Sequence, residues 1–168
     1  MEADQRHIEL ILKQMGLTKC KGSDVVGVQA YHEDGIKMSP AEAKQFRSVA
    51  ARCNFLAADR IDIQFACKEV CGIMAVPCTA DWAMLKKIAR YLQSHSRLLM
   101  EFKFQEEPLE LKIFVDTDFG GCRRTRRSTN GGLAMLGNHL IKSWSTTQTT
   151  AATLKWQSRV LWDYQRNL

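Results

Sequence analysis

Residues able to do chemistry are concentrated in one stretch, FVDTDFGGCRRTRRSTNGG, residues 114–132. An apolar alternating run ends in Asp116, Asp118 follows two positions on, and Gly120-Gly121 leads into Arg123, Arg124, Arg126 and Arg127. Carboxylates at a strand end suit Mg²⁺, a hard cation that takes oxygen donors held on a rigid element. In a strand that continues through both, Asp116 and Asp118 share one face. A turn accounts for the same residues without a metal, since aspartate accepts from backbone amides and paired glycines supply the bend. Four arginines within five positions repel one another unless an anion is near. Nucleic-acid phosphates fit, because guanidinium groups bind them bidentately and release condensed counterions. A solvated basic loop is the alternative.

Other chemistries find no support. There is no GxSxG, Ser143 and Ser145 lie on an ordinary strand pattern, and the glycine pairs do not make a phosphate-cradling loop. No small-molecule substrate is indicated. The six cysteines, at 20, 53, 67, 71, 78 and 122, include no CxxC and accompany no histidine pair at ligand spacing, which argues for reduced, packed thiols over structural zinc.

Charge is distributed unevenly. After Asp118 eight Lys and Arg face the single acid Asp163, so the last fifty positions carry +7 and the total of +6 leaves −1 for the first 118. A basic end on a near-neutral body points to a polyanionic partner, with a solvated basic surface as the alternative. No apolar run approaches the roughly 20 residues of a membrane span, and the charged start MEADQRHIELILKQMG lacks the apolar core of a secretory signal. The expectation is a soluble, intracellular, cytoplasmic or nuclear chain that is not secreted and has no membrane partner.

The elements that must position residues 114–132 form two series. Ile8, Leu12 and Met15 predict a helix over 3–16, stopped by Gly16, followed by a glycine-containing loop over 17–38 with one short strand at Val25–Val28. Ser39-Pro40-Ala41-Glu42 is a helix start: serine caps, proline at the first position loses no needed donor, and glutamate reaches back. That helix should bury Phe46, Val49, Ala50 and Cys53 and stop near Asp59-Arg60. A third helix over 61–75 carries Ile61, Phe65, Val70, Ile73 and Met74, and Pro77 ends it. Thr79 is expected to cap a fourth, 80–95, with Trp82, Leu85, Ala89 and Leu92 in one stripe and Lys86, Lys87 and Arg90 off it.

From residue 97 the period changes to two. Leu98–Phe104, Leu109–Asp116, Gly132–Leu136 and His139–Ser145 read as strands, the last two joined by Gly137-Asn138. The fold class is therefore α+β, divided as 1–38 (helix and loop), 39–96 (helical), 97–152 (β-rich) and 153–168, a tail whose weak apolar pattern selects neither helix nor strand.

QFRSVAARCNFLAADRIDIQFACKEVC (45–71), DWAMLKKIARYL (81–92), FVDTDFGGCRRTRRSTNGG (114–132) and HLIKSWSTTQ (139–148) together resemble a copia-type retrotransposon Pol polyprotein. The resemblance covers roughly residues 3–152, from the helix after the polymerase palm into the RNase H domain. It implies a truncated RNase H-like mixed sheet after residue 109, a thumb- or connection-like helical region before it, and an RNA–DNA hybrid as partner. It implies Mg²⁺ as cofactor, with Asp116 at the first metal-binding aspartate and Asp118 beside it, where Phe119 and Gly120 replace the family's Trp and Ala. The family's first RNase H helix carries a ligating glutamate, but TLKWQSRVLWDY, 153–164, has none. The family's remaining acids would lie beyond Leu168, and the polymerase aspartates before Met1. Two cations about 4 Å apart need several carboxylates to hold them, so little or no nuclease activity is expected from this chain alone.

A frameshift near residue 152 would account for the departure. Codons for 154–163 can be chosen so that a shifted frame reads Ser-Ser-Gly-Lys-Ala-Glu-Phe-Cys-Gly-Thr, close to the family motif. Two alternatives stand beside this reading: a hybrid ribonuclease completed by a partner chain, and a helical protein-interaction module.

Overall fold

Ser39 begins the best-defined element in both sequence and structure. In the computed structural model, which describes residues 1–27, 35–106, 110–122 and 125–151, its hydroxyl accepts from the Glu42 amide while the Glu42 carboxylate accepts from the Ser39 amide at 2.9 Å. This reciprocal pair satisfies two otherwise free donors and starts α2, Pro40–Leu56. Before it, Asp4 caps α1, Gln5–Gln14, and Gly16 takes φ 66° just past its end. After it come a single 3-10 turn, Ile61–Ile63, then α3, Gln64–Gly72, a second 3-10 turn, Thr79–Asp81, and α4, Trp82–Ser94.

These helices form one compact unit, Met1–Met100. Its core takes Ile8 and Ile11 from α1, Phe46 and Val49 from α2, Val70 from α3, and Leu85, Ile88 and Leu92 from α4. Trp82 meets the Phe46 ring edge-on at 5.4 Å between centroids. All six cysteines are free thiols, with Cys53 and Cys67 buried in this core.

Several sequence expectations fail here, each for a physical reason. Residues 25–27 form no strand, and Val28 lies outside the described residues. The third helix ends at Gly72 rather than near residue 75, and its inward side is Ile63, Ala66, Cys67 and Val70, while Ile61 and Phe65 are exposed. A turn of 3-10 winding at Ile61–Ile63 sets this phase. Thr79 is not the cap of the fourth helix: it lies within the 3-10 turn, and the Asp81 carboxylate accepts from the Cys78 amide at 2.7 Å. Leu98–Phe104 makes no ladder, only an isolated bridge between Leu99 and Glu2. Alternation alone did not provide the partner strand that backbone groups require.

The second compact unit runs from Glu101. Among its described residues, β1 (Leu111–Thr117), β2 (Arg127–Leu136) and β3 (His139–Ala151) form an antiparallel sheet in that order. Both β2 and β3 are longer than the alternation indicated. Gly137 turns the β2–β3 hairpin at φ 58°. The fold is thus α+β. On β1, Leu111, Ile113 and Phe114 are exposed. The tail 153–168 and Leu109 lie outside the described residues.

Candidate nucleic-acid interface

Asp116 sits one residue before the end of β1, paired with Gly131 of β2, and its side chain is exposed. One of its oxygens accepts from the Thr117 amide at 2.9 Å. The strand stops at Thr117, so the condition for Asp118 to share its face as a strand residue is not met. Asp118 instead extends the pairing in another way. Its amide donates to the Thr129 carbonyl at 3.1 Å, and its carboxylate oxygen Oδ1 accepts from the Thr129 amide at 2.7 Å and the Gly121 amide at 3.3 Å. The carboxylate thus stands where a main-chain carbonyl would be in a longer ladder, which is the turn-capping role open to aspartate.

Two described residues after Asp118, Gly120 and Cys122, are tied back to β2. Gly120, at φ 60°, donates its amide to the hydroxyl of Ser128, which is fully buried. Cys122 donates to the Arg127 carbonyl at 3.1 Å, and Arg126 donates to the Cys122 carbonyl at 2.7 Å. The closure holds Arg126 at φ 55°, the left-handed region that costs a side chain-bearing residue about 1–2 kcal/mol. Below the loop, the Asn130 side-chain oxygen accepts from Thr117 at 2.9 Å and from Gln148 at 2.7 Å, joining all three strands.

Arg126 and Arg127 therefore project from a fixed base. Both are exposed, and neither has a carboxylate within ion-pair distance among the described residues. Arg123 and Arg124 lie outside the described residues. Among the described residues no three His, Cys, Asp or Glu side chains gather as metal ligands, and Asp118 Oδ1 is engaged by amides. Sequence reasoning missed Ser128, Thr129, Asn130 and Gln148. The run TTQTT at 146–150, rich in β-formers, was the signal that β3 continues far enough to supply the last of these.

No family model matches the chain, and no solved structure does. Among curated proteins it is 30% identical to an uncharacterized mitochondrial protein of Arabidopsis thaliana, AtMg00810, over 91% of this chain and 70% of the relative. It is also 30% and 31% identical to retrovirus-related Pol polyproteins from the Arabidopsis transposons RE2 and RE1, in each case over 61% of this chain. The chain spans 7% of the length of either polyprotein. These likenesses define a segment derived from a retrotransposon polyprotein. The chain belongs to the copia-type Pol family. No helix among the described residues is long and apolar enough to cross a membrane.

Proposed function

We propose that this chain is a reverse transcriptase/RNase H fragment whose second unit is RNase H-like and binds the phosphate backbone of an RNA–DNA hybrid without cleaving it competently. The observation that carries the reading is the pair of exposed arginines, Arg126 and Arg127, without an acidic partner among the described residues, on a loop fastened to the sheet at Asp118, Gly120, Cys122 and Arg126. Glycine would occupy the Arg126 conformation at lower backbone cost. An arginine there is better explained by what its charge meets than by folding.

Incomplete catalysis follows from charge. Asp116 is an exposed carboxylate at the strand end, the stretch 153–164 adds no glutamate, and Asp118 is occupied by amides. Any Mg²⁺ at Asp116 and Asp118 would meet too few carboxylates to be held tightly. The antiparallel order β1-β2-β3 supports the RNase H-like assignment. The test is fluorescence anisotropy with a labelled hybrid over a salt series. Arg126→Ser/Arg127→Ser should lower the slope of log K against log salt by about 2, at roughly 0.9 for each phosphate no longer neutralised. Mg²⁺-dependent turnover by the purified chain that Asp116→Asn abolishes would overturn the reading.

A further inference from the structure

We infer that the free edge of β1 is an interface for a second copy of this chain, pairing antiparallel with that copy's β1 about a twofold axis at Phe114.

In the order β1-β2-β3, β1 is an edge strand among the described residues. Its register against β2 runs from Leu111 opposite Leu136 to Thr117 opposite Asn130 without a bulge. Two hydrogen bonds fix which backbone groups face outward. The Gly137 amide donates to the Glu110 carbonyl at 2.8 Å, and the Asp118 amide donates to the Thr129 carbonyl at 3.1 Å. Even-numbered residues therefore turn their amides and carbonyls toward β2, while Leu111, Ile113, Val115 and Thr117 turn theirs to the free edge. Leu111, Ile113 and Phe114 are each more than half exposed. Edge strands are usually blunted by proline, a bulge or like charges. LKIFVDT has neither proline nor bulge, and its two charges are opposite.

Those charges select both the occupant and the register. With Phe114 facing Phe114 of the second copy, Lys112 faces Asp116, Ile113 faces Val115 and Leu111 faces Thr117, so all seven residues of β1 are matched. Twofold symmetry makes the Lys112–Asp116 pair occur twice. Centring the axis on Ile113 would set Glu110 against Asp116, and centring it on Lys112 would set two lysines together. Lys112, Phe114 and Asp116 share one face, and they occupy the non-hydrogen-bonded positions, where facing side chains come closest. Lys112 pairs with exposed Glu110 at 3.1 Å, and the Asp116 carboxylate accepts from the outward Thr117 amide at 2.9 Å. Both contacts lie at the surface, where such pairs contribute little, and they exchange for the cross-copy pair and a ladder bond.

The experiment is analytical ultracentrifugation of the full chain over a concentration series. The parent should form a reversible dimer that added salt weakens, a reading that needs no variant. Ile113→Pro removes an outward amide, spares the ladder to β2, and should leave monomer. Lys112→Glu and Asp116→Lys each set like charges at both pairs, and each should raise the dimer dissociation constant at least about tenfold. Mixed in equal amounts, these two variants again place opposite charges at both positions and should recover the parent's association. A parent that stays monomeric, or whose association salt strengthens, overturns the inference. So does association that survives Ile113→Pro, which would place the contact on the apolar faces of the sheet. Two folded charge variants that remain monomeric when mixed overturn it as well.

Discussion

Replacing Arg60 with methionine should be among the most damaging single changes in the helical unit. Arg60 is 1% exposed, and its side chain is the largest that is fully buried. It holds Asp62 through two bonds, Nε to Oδ1 at 2.9 Å and Nη2 to Oδ2 at 2.7 Å. The same guanidinium donates to the carbonyls of His95 at 2.8 Å and Ser96 at 3.4 Å, fastening the chain before α3 to the end of α4. Removing it leaves Asp62 with the Tyr91 hydroxyl, at 2.9 Å, as its remaining side-chain donor. Breaking a buried pair on one side costs about 3–5 kcal/mol, a large part of the 5–15 kcal/mol that holds a typical domain together. At about 4–8 °C per kcal/mol, the helical circular-dichroism melt should fall by at least about 12 °C. Arg60→Met/Asp62→Leu should recover most of the loss, because no uncompensated charge remains.

Burial pushes the Asp62 carboxyl up, but the hydrogen bonds from Arg60 and Tyr91 outweigh it and hold the group below its ordinary value of 3.8. A depressed carboxylate contributes stability above its unfolded pKa and loses it as pH falls through the folded one. The gap between parent and Arg60→Met should therefore narrow below about pH 4. A gap that is constant from neutral pH to acid, or a cost under about 1 kcal/mol, would mean that the Arg60–Asp62 pair behaves as a solvated surface pair.

Three further changes have defined outcomes. Ser39→Ala removes one half of the capping box and should cost about 1 kcal/mol, read as a drop of about 4–8 °C in the helical melt. Asp118→Asn keeps an acceptor for the Thr129 amide and should preserve the loop, whereas Asp118→Ala should cost about 1–3 kcal/mol and speed hydrogen exchange at Thr129; equal exchange in both variants would contradict the capping role. Arg126→Gly relieves the left-handed conformation and should raise the stability of the second unit by about 0.5–1 kcal/mol in urea melts, while lowering the salt slope for hybrid binding by about 1.

What could be read from sequence divides by how local the cause is. The Ser39 box was legible because its partners are three residues apart, and the α4 stripe because a helix fixes its own period. In the third helix Val70 is in the core and Ile73 and Met74 pack against it, but Ile61 and Phe65 are exposed, since Ile61–Ile63 winds more tightly than an α-helix. Leu98–Phe104 looked like a strand by alternation, yet Phe104 is 93% exposed and only Leu99 finds a bridge. The start of β2 was invisible for the opposite reason. Asn130, Gly131 and Gly132 disfavour strands, but β1 and β3 pair with them from both sides. At the candidate site, Asp116 was legible as a strand end. The occupation of Asp118 was not, because Thr129, eleven residues away, supplies one of the amides.

If the second unit holds a hybrid as proposed, the balance of charge decides between adhesion and hydrolysis. Cleaving the RNA strand of a hybrid needs cations that can activate water, and carboxylates are what hold such cations. Among the described residues no third carboxylate gathers with Asp116 and Asp118, and the loop beside them presents Arg126 and Arg127. A guanidinium neutralises phosphate as Mg²⁺ does, but it cannot lower the pKa of a bound water, so on the proposed reading the loop would retain a hybrid without cutting it. The two arrangements respond oppositely to metal removal. A metal-bridged complex weakens when Mg²⁺ is chelated, whereas arginines compete with Mg²⁺ for the same phosphates and gain from its withdrawal. Hybrid affinity at constant monovalent salt should therefore hold or rise on adding EDTA, and the effect should shrink in Arg126→Ser/Arg127→Ser. A fall in affinity with EDTA that Asp116→Asn reproduces would mean that the carboxylate, not the loop, holds the duplex.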